Sequence, residues 1–462
     1  MVLIAGGGLV LGACCLLLTH ELVVGAVVSA AALAALVVES RRTLRAVVVR
    51  KQEEPIGRAV WAGVELVLYL APIALLSVAY PIASHHLSDT EVGGTRLTTL
   101  LLASSVTVPW LTQAVSLPLY RAIAPLVAAG ENEKIVVRLC QVWPTTFVQC
   151  LPVVVLFTVP VEISTRWTPT AIGTYFCLAV LYMAFAQSLI PSIAFRKRGQ
   201  WACAWLGVAI ALLVAPSLWF LPPLVGLATQ LVPLRRHWAV AVHPDWLHPA
   251  DLARDVLRGL LLGAVLWSDK YFLFLRAGDH FAVAYVYVAL LPAVLAYNYY
   301  FVRLAPGIDT AITRLRRAME DAPYGVLARR SRTVYRFVTR SLFRSALVGV
   351  VIAGVVTAIV ADAHPRSAPL VAAVAAASWL AMMITLLCYK LDYIGQSGPA
   401  QVFSAVYLVG CAGAFFVLPL GASAYVGLIG LDLLLFAFAL RSTLAHWKSP
   451  EYSLFWRHAT AW

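Results

Sequence analysis

A chain of 462 residues that is 61% hydrophobic and 12% charged, with a mean hydropathy of +0.83, carries more apolar surface than a water-soluble core can hide. Its net charge of +13 would point to nucleic acid in a soluble protein. Here the bases lie between apolar runs, where they report topology and contact with anionic lipid, so no nucleic-acid partner is expected.

Spans of the length that crosses about 30 Å of hydrocarbon are expected at 2–18, 22–38, 59–82, 97–120, 139–162, 169–193 and 201–217. Seven more follow at 219–234, 254–276, 281–303, 343–363, 367–389, 399–418 and 422–440. The run 2–18 lacks a basic leader and passes through His20-Glu21 directly into 22–38, so the two are read as a retained hairpin rather than a signal peptide. Seven of the eight cysteines lie within spans and Cys388 ends one; with no CxxC pair, neither disulfides nor a zinc site is expected.

Basic residues alternate with these spans. Arg41 to Arg58, Arg121 to Arg138, Arg196 to Arg198, Arg235-Arg236 and the segment Arg303 to Arg344 fall on one side; Arg96, Arg166, Arg276 and Arg366 fall on the other. The positive-inside rule then puts both termini in the cytoplasm of a multi-pass protein of the inner membrane. The stretch from Ile308 to Arg344 intersperses apolar residues with arginines and reads as an amphipathic helix on the anionic inner leaflet.

After the first hairpin the pattern repeats: two spans, a basic amphipathic stretch, four spans. Arg58-Ala59-Val60-Trp61-Ala62-Gly63 and Arg254-Asp255-Val256-Leu257-Arg258-Gly259 share the spacing R-x-V-x-x-G, 196 residues apart (254 − 58), and Gly199-Gln200 recurs as Gly395-Gln396 at that offset. The expected fold class is all-α and polytopic, about 14 transmembrane helices: an N-terminal hairpin (1–40) and two six-helix lobes (41–240 and 241–462) in parallel pseudo-repeat, the second containing the basic segment 308–340. Two lobes about an axis along the membrane normal suit a carrier that opens alternately to either side.

Trp267-Ser268-Asp269-Lys270-Tyr271-Phe272 resembles the W-[AS]-D-K-[WFY]-[IF] signature of PelG-type proteins, the membrane subunit of Pel exopolysaccharide export. Leu291-Pro292 followed by Phe301-Val302-Arg303, then Tyr389-Lys390-Leu391-Asp392 and Pro450-Glu451-Tyr452-Ser453-Leu454-Phe455, are similar to further motifs of that family. The resemblance covers about half the chain. It implies a two-lobe transporter of the group that holds MATE exporters and lipid-linked oligosaccharide flippases. The acidic patch that follows F-x-V-R in the family is reduced here to Asp309.

Charges inside spans cost roughly 2.5–3.5 kcal/mol each and need a reason. Glu65, Asp269, Lys270 and Asp432 are such charges. In the transport reading Lys270 meets phosphate or sugar and Asp269 or Glu65 holds a proton or coupling cation; an internal ion pair that only staples helices is the equal alternative. Asp432 reads as a packing group. The span at 281–303 carries Tyr285, Tyr287, Tyr297, Asn298, Tyr299 and Tyr300; Tyr297 and Asn298 are candidate sugar contacts, the other tyrosines an interfacial belt.

No Gly-x-x-x-x-Gly-Lys-Ser/Thr loop occurs, so ATP hydrolysis has no support and no cofactor or metal is called for. The expected substrate is a lipid-linked or extended cell-envelope glycan, with membrane lipids and envelope glycan-synthesis proteins as partners. The competing enzyme reading is a glycosyltransferase using polyprenyl-phosphate sugars, with Asp89 or Glu91 as external base. A structural subunit of an envelope-synthesis complex is the third.

Overall fold

The computed structural model describes residues 86–459 except Arg196 and 279–282, together with scattered residues between 68 and 84. The expected hairpin at 2–38, Glu65 and most of the span at 59–82 lie outside the described residues. Contacts divide the chain into two compact units, Met1–Gly263 with Ala277–Phe281 and Ala264–Arg276 with Ala282–Trp462.

The first unit contains a small antiparallel hairpin, β1 (Glu91–Val92) and β2 (Thr95–Arg96), turned by Gly93 and Gly94 at φ 59° and 77°. A Cβ on Gly93 would lie 2.4 Å from Thr168 Oγ1, and the Thr168 hydroxyl donates to the Gly93 carbonyl at 2.7 Å. The turn is thereby pinned to the start of a helix that Thr168 also caps. The helices are α1 (Leu97–Ala129), α2 (Asn132–Thr165), α3 (Pro169–Ser188), the short α4 (Ile190–Ala194), α5 (Arg198–Val214) and α6 (Leu221–Leu234). A 3-10 segment (Arg235–Val242) leads to α7 (Pro249–Ala277), whose first part closes this unit. Here α1 packs on α2 and α3, α3 on α6, and α5 on α6.

The residues that join α1 to the first part of α7 are specific. The Trp110 indole donates to the Leu260 carbonyl at 2.8 Å and Arg121 pairs with Asp255 at 2.6 Å. Between them, a Cβ on Gly259 would come within 2.4 Å of the Gln113 carbonyl oxygen and 2.6 Å of Ala114 Cα. Backbone atoms cannot yield there without parting the helices. Gly259→Ala is therefore expected to destabilise by about 1–3 kcal/mol, read as a lower melting temperature in detergent. Gly354→Ala, where nothing stands within 4 Å, is expected to leave stability unchanged or raise it.

The second unit holds the rest of α7, then α8 (Val283–Tyr299), a π turn (Tyr300–Leu304), α9 (Ala305–Asp321), α10 (Tyr324–Ala363), α11 (Ala368–Tyr393), α12 (Ser397–Val417), α13 (Ala422–Trp447) and α14 (Pro450–Ala459). Its axis is α11, which packs on α8, α10, α12 and α13. The run Val371 to Ser378 is mostly alanine and valine, which lets neighbouring helices approach closely. In its apolar window α11 is 78% buried, against 17% for α10. The bare face of α10, with Leu347, Val351 and Val355 more than half exposed, is what a lipid-facing helix requires.

The protein is thus an all-α polytopic membrane protein: among the described residues eight helices are long and apolar enough to cross a bilayer. The pair expected at 201–217 and 219–234 lies at Arg198–Val214 and Leu221–Leu234, 17 and 14 residues, the first shifted and the second shortened because the intervening turn takes Ala215 to Phe220. At 1.5 Å per residue these reach about 26 and 21 Å.

The basic segment also differs from the single interfacial helix read from its periodicity. It breaks at Ala322-Pro323, where Ala322 is extended at ψ 145° as a residue before proline prefers, and forms the helical hairpin α9–α10. Its apolar residues Ile308, Ile312 and Leu315 pack against Val334, Val338 and Leu342 in the unit's own core, not against lipid.

Candidate functional site

The second unit buries charge. On α7, Ser268, Asp269 and Lys270 are 0–2% exposed. Lys270 Nζ lies 2.8 Å from Asp269 Oδ2, donates to Ser378 Oγ of α11 at 3.0 Å and reaches back to the Leu266 carbonyl at 3.3 Å. The lysine is held by α11 as well as by its own helix. Its contact with Asp269 is one of charge, and neither Asp269 oxygen receives a well-directed hydrogen bond.

Asp432 of α13 joins this pair. It is 0% exposed, its two carboxylate oxygens have no hydrogen-bond donor among the described residues, and it lies within electrostatic reach of Asp269 and Lys270. Two phenols complete the cluster. Tyr407 of α12 lies within electrostatic reach of both carboxylates, and the Tyr425 hydroxyl faces Asp269 without closing a well-directed hydrogen bond. Tyr425 is oriented by the Phe415 ring, 5.1 Å away and nearly perpendicular. Arg276, at the end of α7, donates to the carbonyls of Phe415 and Phe416 at 2.8 and 3.2 Å and so fixes the end of α12 beside the site.

The arithmetic of charge defines what this arrangement can do. Two carboxylates face one ammonium, leaving an excess of one negative charge when all are ionised. An uncompensated charge in such surroundings costs several kcal/mol. The cluster is neutral when it takes up one more positive charge, a proton or a small monovalent cation, for which the carboxylate and phenol oxygens are suitable hard donors. Among the described residues no three His, Cys, Asp or Glu side chains gather as a metal site would need.

Of the residues marked in the sequence, Asp269 and Lys270 meet here, and Asp432, first read as a packing group, belongs with them. Tyr297 and Asn298 do not. Tyr297 stacks on Phe301 at 4.7 Å and is hydrogen-bonded to Tyr389. Ser378 and Tyr389 are 11 residues apart on α11 (389 − 378), about 16 Å along the axis. Asn298 is half-buried and has no hydrogen bond among the described residues. Asp89 and Glu91, before and in the small β-hairpin, are both exposed.

A second buried cation accompanies that aromatic group. Lys390 is 5% exposed, with its ammonium 5.2, 5.6 and 5.9 Å from the ring centres of Tyr300, Tyr393 and Trp447. It ties the π turn after α8, α11 and α13 together at the basic end of the unit. The signal for it was a lysine within an aromatic motif at the end of an apolar span.

No family model matches the chain, and no curated protein matches it. Among solved structures the chain is similar to one described as the inward-facing conformation of a multidrug resistance MATE family transporter of the MOP superfamily. Identity is 11%, 84% of this chain and 94% of that chain are covered, and the TM-score is 0.42. Similarity at that level fixes neither family nor activity.

Proposed function

We propose that the protein is a membrane transporter in which the Asp269–Lys270–Asp432 cluster takes up and releases a proton or monovalent cation as cargo crosses, and that the cargo is a lipid-linked or extended cell-envelope glycan. The observation that carries the transport reading is the unbalanced charge buried among α7, α11 and α13. A purely structural protein gains nothing from a second carboxylate that lacks a partner, whereas a carrier needs a group whose neutral and charged forms are both accessible. The glycan rests on the resemblance of Trp267 to Phe272, and of the motifs after it, to PelG-type proteins. The placement of basic loops supports cytoplasmic termini, and the inner membrane is the location this reading proposes.

Depletion of the protein, followed by mass spectrometry of membrane lipid-linked saccharides and of finished envelope sugars, tests the cargo. One lipid-linked saccharide should accumulate while its exported product falls. Unchanged intermediates with normal envelope sugars would remove the glycan from the proposal.

A further inference from the structure

The α9–α10 hairpin has an inner face packed into the core of the second unit and an outer face whose arginines have no ion pair among the described residues. Inside, its apolar residues join the core of the second unit and Ser331 donates to Glu451 at 2.5 Å; on the exposed side Arg330 donates to the Arg314 carbonyl at 2.8 Å, which sets the two helices level with each other. Outside, Arg314, Arg316, Arg317, Arg329, Arg330 and Arg332 are all exposed, and among the described residues none of them has an ion pair. Residues 305–344 hold nine arginines against three acids.

The length of α10 shows where that face stands. The helix has 40 residues and no proline, so it is about 60 Å long, twice the hydrocarbon thickness. From Leu342 to Ala363 it carries no charge apart from Arg344 and Asp362 near the ends, a stretch of about 33 Å that fills the hydrocarbon. Arg336, Arg340 and Arg344, interleaved with exposed Phe337 and Phe343, therefore fall at headgroup level.

Arg329 and Arg330 lie 12 to 13 residues beyond Leu342 (342 − 330 and 342 − 329), about 18–20 Å out. Even a tilt of 40° leaves about 14 Å, against a headgroup layer of roughly 5–7 Å and a screening length of about 8 Å. Arg314 is level with Arg330, and Arg316 and Arg317 stand farther toward the tip. There Tyr324 is 82% exposed. Arginine and tyrosine presented together on a rigid element are the composition of protein-interface hot spots.

We propose that the outer half of this hairpin is a docking surface for the acidic face of a cytoplasmic protein, independently of what the transporter carries. A photo-crosslinking phenylalanine analogue at Tyr324 of the full-length protein, activated in native membranes, tests it. The expected result is one discrete protein adduct whose cross-linked peptide is rich in Asp and Glu. Its yield should fall at least tenfold in Arg329→Glu/Arg330→Glu, persist in Arg329→Lys/Arg330→Lys, and return when the mapped carboxylates of the partner are changed to lysine. Unchanged elution of each solubilised variant on size exclusion shows that folding is intact. Adducts with phospholipid alone, no adduct, or a protein adduct indifferent to charge reversal would each overturn the proposal.

Discussion

Lys270→Met is expected to be the most damaging single substitution in the second unit. It removes the ammonium that faces Asp269 and Asp432, leaves Ser378 without its donor and exposes two buried carboxylates to each other. Breaking a buried pair in this way costs about 3–5 kcal/mol, so the variant should lose most of its thermal stability in detergent and all of its transport. If cells expressing it instead transport at the normal rate with only a lowered melting temperature, the lysine is a staple and takes no part in the cycle.

Asp432→Asn is expected to behave in the opposite way. The substitution keeps shape and removes the excess negative charge, so stability should be equal to or above that of the unsubstituted protein. Transport should nevertheless fall by tenfold or more, because the cluster no longer needs a proton or cation to be neutral. The contrast between the two variants separates the transport reading from a purely structural one: a stapling network would lose stability with either change. A double-mutant cycle of Lys270→Met with Asp432→Asn should show strong coupling, since removing the Asp432 charge as well relieves the repulsion that Lys270→Met leaves behind.

Much of this was legible in the sequence because lipid imposes a simple rule on length and polarity. Eight of the eleven spans expected from Leu97 onward are helices long and apolar enough to cross a bilayer, and Asp269 and Lys270 stand out because a charge within an apolar run is expensive. Asp432 shows the limit. It is equally anomalous, but 163 residues separate it from Asp269 (432 − 269), and nothing in spacing indicates that α13 and α7 meet around Ser378. Tyr407 and Tyr425 carry no signal at all, since a tyrosine in a span reads as packing or belt until its hydroxyl is seen to face a carboxylate.

The basic segment failed for a different reason. A 3.6-residue apolar period gives the same pattern whether the stripe rests on lipid or on protein, so only the packing of Ile312 and Leu315 on Val334 and Val338 distinguishes the two. Pro323 marked the break. Tyr297 and Asn298 were chosen by chemistry without position, and Tyr297 meets α11 at Tyr389, about 16 Å along that helix from the Ser378 that holds Lys270.

The most direct test of the cluster's role is infrared spectroscopy of the purified protein across pH, with and without sodium, comparing the unsubstituted chain with Asp432→Asn. The account predicts a carboxylic-acid C=O band from the buried pair, absent in Asp432→Asn, that fades in the unsubstituted protein as pH rises or as sodium replaces the proton. Spectra identical for the two proteins under every condition would show that the cluster neither binds nor releases a positive charge, and would contradict it.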